Sequence, residues 1–301
     1  MIYFIYPECF TNFTARFESI HTYRKLIKRN TYCMKIRVLP YLIGMLLLTA
    51  SCGEYNKVLK MTDPEAKYSY AKKYFSEKKY DRSATLLAEL VAPFKGTGKA
   101  EESLYLLAQS YFGQKDYILA SQYFSTYFMT YPKGEYAELS RFYNGYGYYL
   151  DSPDPELDQS TTYRALSELQ VFLDYYPNSE KKQEVLDILF SLQEKLAKKT
   201  LMNAQLYYNL GNYGGNNYLS CIVTAENALK DYPFSKYKEN FRILILRSKY
   251  EQAFHSVSSK EQERYREVID EYYIYIGEFP GGKYKKEAEQ IFSKTLSKIQ
   301  S

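Results

Sequence analysis

The clearest hydrophobic pattern runs from Leu104 to Pro132, LYLLAQSYFGQKDYILASQYFSTYFMTYP. Leu104, Leu107, Ala108 and Tyr111 fall at i, i+3, i+4 and i+7, which is one face of a helix. Gly113 and the polar run Gln114-Lys115-Asp116 interrupt it. Tyr117, Ala120, Phe124 and Tyr127 then begin a second face, and Pro132 stops it because proline cannot continue a helix. The pattern predicts two short amphipathic helices joined by a tight turn. Ala108 and Ala120 let the two backbones approach, while Tyr111 and Phe124 fill the space beside them.

The same order occurs upstream. Asp63-Pro64 is a helix start, an N-cap side chain followed by proline at the first helical position. Tyr70, Ala71 and Tyr74 form a first face, and Tyr80, Ser83 and Leu87 a second. Ala71 to Ala108 and Tyr80 to Tyr117 are both steps of 37 residues. Phe94 to Gly98 makes the intervening turn, without the usual helix-ending proline at its expected place. Downstream the period stretches, but Tyr131-Pro132, Tyr176-Pro177, Tyr232-Pro233 and Phe279-Pro280 each end a helix. Gly134, Ser179, Ser235 and Gly282 follow two residues after each proline. The prolines are spaced by 45, 56 and 47 residues, so each later repeat carries an insertion. Twelve residues before three of them stand Ala165, Cys221 and Val268, the tight-packing position of the second helix. That places Cys221 in the core as a small buried thiol.

The third pair's first helix, RFYNGYGYYL, has two registers, with either Gly145 or Gly147 at the close contact. Its insertion, DSPDPELDQST, carries Asp151, Asp154, Glu156 and Asp158, whose spacing fits no calcium loop and reads as a turn with capping residues. GNYGGNN from Gly211 to Asn217 widens the fourth turn, and Glu251 to Arg264 prolongs the fifth as a longer helix. Tyr284 to Ile299, with Ala288, Ile291, Phe292, Leu296 and Ile299 on one face, covers the last apolar surface, as a repeat stack requires.

Large, Leu, small, Tyr, then Tyr, Ala, Phe, aromatic, Pro resembles the tetratricopeptide repeat, about 34 residues long. The expected fold is all-α, a superhelical array of about five such helix pairs over residues 63–301 with a C-terminal capping helix. In that family the first helix of each pair lines a concave side. The turn-spaced positions left over from the core are then Tyr68, Lys72 and Phe75 in the first repeat and Tyr105, Gln109 and Phe112 in the second. In the third, either register sends tyrosines or Phe142 that way. Aromatics with a few polar neighbours suit an extended or turn-forming peptide, since they offer apolar area at low entropy cost. The other reading is that these rings pack against neighbouring repeats.

Composition narrows the function. Tyrosine reaches 36 residues and tryptophan is absent, which suits half-buried helix faces where the ring packs and the hydroxyl stays wet. The net charge of +5 belongs to the N-terminus. Residues 1–51 hold seven of the 40 bases and two of the 35 acids, leaving 33 of each for 52–301, so no footprint for nucleic acid remains. Of four cysteines only Cys52 and Cys221 lie beyond residue 51, too few for a disulfide framework or a zinc site. Two histidines, His21 and His255, and no HExxH, GxSxG, CxxC or phosphate-loop motif leave no catalytic, metal or cofactor site to name.

The N-terminus supplies an address. In MKIRVLPYLIGMLLLTASCGE, Lys35 and Arg37 are a positive n-region. Val38 to Ala50 is an apolar stretch shorter than the ~20 residues of a membrane span, and it ends in small residues at Cys52. This resembles a bacterial lipoprotein signal over 34–51, with Cys52 acylated and residues 52–62 a short tether. Thr49 stands three before the cysteine where leucine is commonest, and the other reading is an ordinary secretory signal or a buried segment. Met34 then reads as the true start and 1–33 as an upstream over-extension.

A lipoprotein signal, a first helix soon after the cysteine, and five irregular repeats together resemble the BamD family of outer-membrane lipoproteins. PELDQS with YRALSELQVFLDYYPNSE resembles its third repeat, and EKLAKKTLMNAQLYYNLGNY with ENALKDYP its fourth. The resemblance implies a non-enzymatic scaffold of the β-barrel assembly machinery, anchored to the lipid bilayer through Cys52 on the periplasmic face. It implies C-terminal repeats that bind the periplasmic domains of a BamA-like barrel protein, and N-terminal repeats that help receive unfolded outer-membrane proteins. A tetratricopeptide adaptor for cell-wall or secretion machinery is the second reading, a glycan-binding lipoprotein the third, and surface display stays open. N-terminal sequencing of the unprocessed precursor is expected to begin at Met34, and peptides from residues 1–33 would overturn that start.

Overall fold

The computed structural model describes residues 53–299. The segment 1–33, the signal 34–51 and Cys52 lie outside them. The chain divides into two units, Met1–Tyr70 and Ala71–Ser301. The described residues contain helices and turns but no strand. In the first unit, residues 53–59 are helical, Val58 is buried, and Lys67 Nζ donates to the Leu59 carbonyl at 3.2 Å. Asp63 caps the next helix, accepting from the Glu65 amide at 3.0 Å and the Ala66 amide at 3.3 Å.

Eleven helices follow among the described residues: α1 (Pro64–Ser76), α2 (Tyr80–Leu90), α3 (Ala100–Gly113), α4 (Tyr117–Thr130), α5 (Ala137–Asp151), α6 (Ser160–Tyr175), α7 (Lys182–Leu210), α8 (Asn217–Asp231), α9 (Lys238–Phe254), α10 (Ser258–Glu278) and α11 (Lys285–Ile299). From α2 onward each packs on its neighbour in sequence, and α9 also touches α7 and α11. They form five hairpins and a cap, the all-α array that the periodicity predicts.

The first two hairpins turn alike. Lys78 and Lys115 take positive φ, 59° and 66°, at the residue that closes the first helix. The amides after them, Lys79 and Asp116, reach back to the carbonyls of Tyr74 at 2.8 Å and Tyr111 at 3.1 Å. This is a left-handed C-cap, which a lysine enters at a cost of about 1–2 kcal/mol. Gly211 closes the first helix of the fourth hairpin differently, at φ 55° and ψ −118°, a region that glycine enters freely because it has no Cβ. Asp116 and Asn216 then cap α4 and α8 through the amides of Leu119 and Leu219.

The aromatic-proline ends are near-copies. Tyr131, Tyr176, Tyr232 and Phe279 have φ between −124° and −132° and ψ between 61° and 66°, off the helical region as a following proline demands. In each turn the amide two residues past the proline (Gly134, Ser179, Ser235, Gly282) bonds the aromatic residue's carbonyl at 3.0–3.1 Å.

Small residues set how closely helices approach. Ser83 Oγ donates to the Ala71 carbonyl at 3.0 Å, and Ser110 of the next repeat lies 3.1 Å from Ser83 Oγ. One repeat on, Ser121 Oγ donates to the Asn144 carbonyl at 2.9 Å. Both registers of α5 turn out to be occupied. A Cβ on Gly145 would lie 2.7 Å from the Leu169 side chain on α6, while one on Gly147 would lie 3.0 Å from the Tyr117 carbonyl on α4. The helix is pressed from both sides and uses a glycine against each. Ala165, Cys221 and Val268 are all fully buried, and burial raises the Cys221 thiol's pKa, which keeps it protonated.

Insertions fall where the prolines spread. The largest gap is filled by α7, at 29 residues, whose first half (Val185, Ile188, Leu189, Leu192) packs with α5 and α6 and whose second half (Ala204) packs with α8 and α9. Lys195 Nζ holds the Ser152 carbonyl at 3.0 Å, and Lys199 Nζ holds that of Leu157 at 2.7 Å, so the Asp-Pro insertion is tied to the middle of α7. The fifth insertion lengthens α10 to 21 residues.

Glycine substitutions separate crowding from helix propensity. Alanine is worth about 1 kcal/mol over glycine inside a helix. At Gly277 in α10, where a Cβ would meet nothing within 4 Å, Gly277→Ala is expected to raise the melting temperature. At Gly145 the collision outweighs that gain, since overpacking costs about 1–3 kcal/mol, and Gly145→Ala is expected to lower it. Thermal melts by circular dichroism compare the two.

Candidate functional site

The sequence places six residues on the inner helices, and the structure distributes them unevenly. Tyr68, in the first unit, is buried. Lys72 is exposed and pairs with Glu102 at 2.6 Å. Phe75 is half-buried and meets Tyr80 edge-on at 5.6 Å. Tyr105 stacks flat on Tyr136 at 4.2 Å, and Gln109 Nε2 donates to its hydroxyl at 2.9 Å. Burial pushes the Tyr105 phenol up to about 12. Phe112 lies among Tyr117, Phe124, Tyr143 and Tyr146, with centroids 5.2–6.4 Å away. The rings of Tyr105 and Phe112 are therefore part of a continuous aromatic seam joining the second and third hairpins. Lys72 and Gln109 border it, through Tyr136 and Tyr105, while Phe75 stays in the first hairpin beside Tyr80.

A second set of residues carries structural weight that the hydrophobic pattern hides. Glu101, Glu138 and Glu239 each occupy the second position of an inner helix. Glu101 accepts from the Tyr127 hydroxyl and, at 2.7 Å, from the Glu135 amide. Glu239 accepts from the Tyr275 hydroxyl at 2.7 Å and the Tyr284 amide at 3.2 Å. Glu138 accepts from Ser179 Oγ at 2.5 Å. Each carboxylate thus ties the start of a hairpin to the turn that leaves it. A Cβ on Gly134 or Gly282 would crowd the same carboxylate, which accounts for the glycine there. Burial and the facing carboxylate push the Tyr127 and Tyr275 phenols above their ordinary range. The signal in sequence was an acid at the second position of the helix, beside a second one, Glu102, in the first case, which a helix dipole alone would explain.

A concavity lies among the C-terminal helices. α7, α9 and the start of α11 enclose a groove of about 430 Å³ lined by Leu201, Met202, Leu206, Ile243 and Leu244, with Gln205, Asn209, Asn240, Arg247 and Tyr284 around them. Met202 and Leu206 are 37% and 56% exposed, so apolar surface faces solvent inside a recess. That volume is within the range of ligand pockets. Arg247 closes one side in a two-pronged pair with Glu287, Nε to Oε1 at 2.6 Å and Nη2 to Oε2 at 2.7 Å. Sequence reading missed this groove. The trace was there in Met202, Leu206 and Asn209, a second stripe on α7 beside the one that packs.

Behind the groove α9 is fastened to α10 by charge. Glu271, 2% exposed, takes Lys249 at 2.7 Å and Arg242 at 3.5 Å, and Arg242 also holds Glu278 at 2.7 Å. The Arg242 bond holds the Glu278 carboxyl below its usual range. A depressed carboxylate contributes stability above its unfolded pKa and loses it as pH falls through the folded one. Among the described residues no group of His, Cys, Asp and Glu converges on a metal site, and no helix is long and apolar enough to cross a membrane.

Fold and seams define a tetratricopeptide-like helical-repeat protein. More particularly, the YfiO family model, described as an outer membrane lipoprotein, matches residues 60–215, and the chain belongs to that family. The match takes in the first three hairpins and α7. Among solved structures the chain is similar to a Podosopora anserina kinesin light chain candidate with nearly identical TPR-like repeats, at 13% identity and a TM-score of 0.30 over 74% of this chain and 100% of that one. A singly substituted form of that protein matches at 13% and 0.30 over 80% and 97%. No curated protein matches the chain.

Removing one partner of a buried ion cluster leaves uncompensated charge. Since Arg242 and Lys249 keep some solvent, Glu271→Gln is expected to destabilise the protein by about 2–3 kcal/mol rather than the full buried-pair cost. Urea unfolding measures the loss, and an unchanged midpoint would remove the cluster from the account.

Proposed function

We propose that this outer-membrane lipoprotein is a BamD-type scaffold of the β-barrel assembly machinery. Acyl chains on Cys52 hold it to the bilayer at the periplasmic face. Its C-terminal repeats bind the periplasmic domains of a BamA-like barrel protein, and its N-terminal repeats help receive unfolded outer-membrane proteins. It works by holding polypeptides in place, without catalysis.

The observation that carries this reading is the match to an outer-membrane lipoprotein family over residues 60–215 in a chain whose hairpins continue unbroken to the cap. Physical chemistry supports the parts. One acyl chain binds a membrane marginally and two or more bind it stably, so a cysteine carrying several is a lasting tether. Equal numbers of acids and bases after residue 51 suit protein partners better than a polyanion. Lys72 and Gln109, beside the aromatic seam, and Phe75 in the first hairpin are the surface offered to incoming chains. Tyr105 and Phe112 stiffen it from beneath.

The test is a pull-down of the tagged protein from envelope solubilised in mild detergent. A barrel protein with periplasmic domains is expected to co-purify. Its absence, with cell-wall or secretion components in its place, would overturn this reading in favour of a different envelope adaptor. Cys52→Ser is expected to move the protein from the membrane fraction to the soluble one.

A further inference from the structure

The tip of the fourth hairpin lacks charge to a degree that burial does not explain. Charged residues make up 25% of the chain, yet the 26 residues from Thr200 to Ala225 contain no Asp, Glu, Lys, Arg or His. A buried segment lacks charge for the ordinary reason that desolvation is costly. Here twelve of the 26 are exposed. They are leucine, valine, methionine, tyrosine, asparagine and glycine.

The turn between α7 and α8 pushes apolar groups outward. Gly214 and Gly215 take φ 70° and 155°, which glycine enters without strain, and Tyr213 beside them is 83% exposed. Leu210 before the turn, and Leu219 and Val223 after it, are exposed as well. The tip of the fifth hairpin is of the same kind. Phe254 and Val257 are exposed there, and Phe254 to Ser259 holds no acid, lysine or arginine. The two tips are joined. Tyr218 stacks flat on His255 at 6.4 Å, and Phe254 meets the same imidazole edge-on at 5.1 Å. Flanking charges come only at the border, with Glu251 3.6 Å from His255 Nε2 and Lys260 in the first turn of α10.

Contiguous exposed apolar surface marks contact with protein or with membrane. A protein contact has an apolar centre and a polar rim that draws on charged side chains. These tips carry their neutrality through the exposed turn itself, where such a rim would stand. Tyrosine, asparagine and glycine around exposed leucine, valine and phenylalanine suit the boundary between lipid headgroups and acyl chains. There an aromatic ring lies at headgroup level, apolar side chains reach below it, and a charge would be penalised. The chain's family places it at an outer membrane, so such a boundary is at hand.

We infer that the joined tips of the fourth and fifth hairpins dip into the bilayer surface, led by Tyr213, Phe254 and Val257. They form a membrane contact made by the folded protein, separate from any acyl chain. The inference goes beyond the scaffold reading and needs only the family's place at the outer membrane.

The chain has no tryptophan, so Tyr213→Trp supplies a single fluorescent reporter at the tip. Tyr163→Trp supplies a control, exposed at the start of α6. Each variant is purified from its membrane as the full mature protein and reconstituted in phosphatidylcholine vesicles with plain or brominated acyl chains. A side chain buried ~5–10 Å into the boundary lies within reach of the bromines, so emission from position 213 is expected to fall at least about threefold and shift to the blue. Emission from position 163 is expected to stay within about 20% of its value in plain lipid, because that site is in water. Replacing about one third of the lipid by phosphatidylglycerol, or adding salt, is expected to change neither result, since no charge is involved. Phe254→Ser with Val257→Asp, both at exposed sites, is expected to abolish quenching at position 213 while circular dichroism shows the fold intact. A surface that serves a protein partner would leave position 213 unquenched in lipid alone. That result overturns the inference, as does equal quenching at 213 and 163, or quenching that appears only with anionic lipid. The barrel-protein pull-down is read independently, so either proposal can fail without the other.

Discussion

Close approach between consecutive helices is the constraint on which this protein depends. The inner helices α3, α5, α7 and α9 are each gripped by the outer helix before and the outer helix after. The backbones come near enough only because the residue at each crossing is small. Ser83 reaches the Ala71 carbonyl, Ser110 meets Ser83, Ser121 reaches the Asn144 carbonyl, and Gly145 and Gly147 sit against opposite neighbours. Serine here serves two purposes. It is small enough to fit, and its hydroxyl finds a carbonyl in a place water does not enter. The aromatic rings then fill the wedges that diverging helices leave open, which explains why so many tyrosines are only half-buried.

Polar groups fasten this frame at its joints. The N-terminal and central hairpins use single carboxylates, Glu101 and Glu138, to close a turn onto the helix that began the hairpin. The C-terminal end adds ion pairs, with Glu271 and Glu278 holding α9 to α10 and Glu287 holding it to α11. The groove is built where this bracing is densest. Its wall carries exposed leucine and methionine that a free helix could not keep in place. The aromatic seam in the middle of the array is the contrasting surface, nearly closed, with its rings spent on one another.

Much of the fold is legible in the order of residues alone. Alanine recurring after 37 residues and four aromatic-proline stops mark the hairpins, because both report steric rules that hold wherever a helix packs or ends. The two glycines of α5 left the register open, since each is the close contact for a different neighbour and local pattern cannot show two neighbours at once. Tyr105 and Phe112 show the opposite limit. Position on the helix put them on the inner side, but whether a ring there meets solvent or Tyr136 and Tyr146 depends on the next repeat, which local pattern cannot see. The C-terminal groove was hidden for the same reason. Its stripe on α7 becomes a wall only when α9 and α11 stand beside it. The paired glutamates look like ordinary first-turn acids until their turn partners, 34 to 45 residues away, are folded back.

α7 has one more consequence. In an ideal solenoid each repeat owns its helices, and stability adds unit by unit with nearest-neighbour terms. Here a single rod of 29 residues, about 43 Å at 1.5 Å per residue, belongs to two cores. Fraying it costs both at once. The third and fourth hairpins are therefore coupled through α7, and α9, which lends Phe241, Leu244 and Ile245 to one core and Ile243 and Leu246 to the next, couples the fourth to the fifth in the same way. No cut within α7 yields a truncated fragment that keeps a whole core on each side of it.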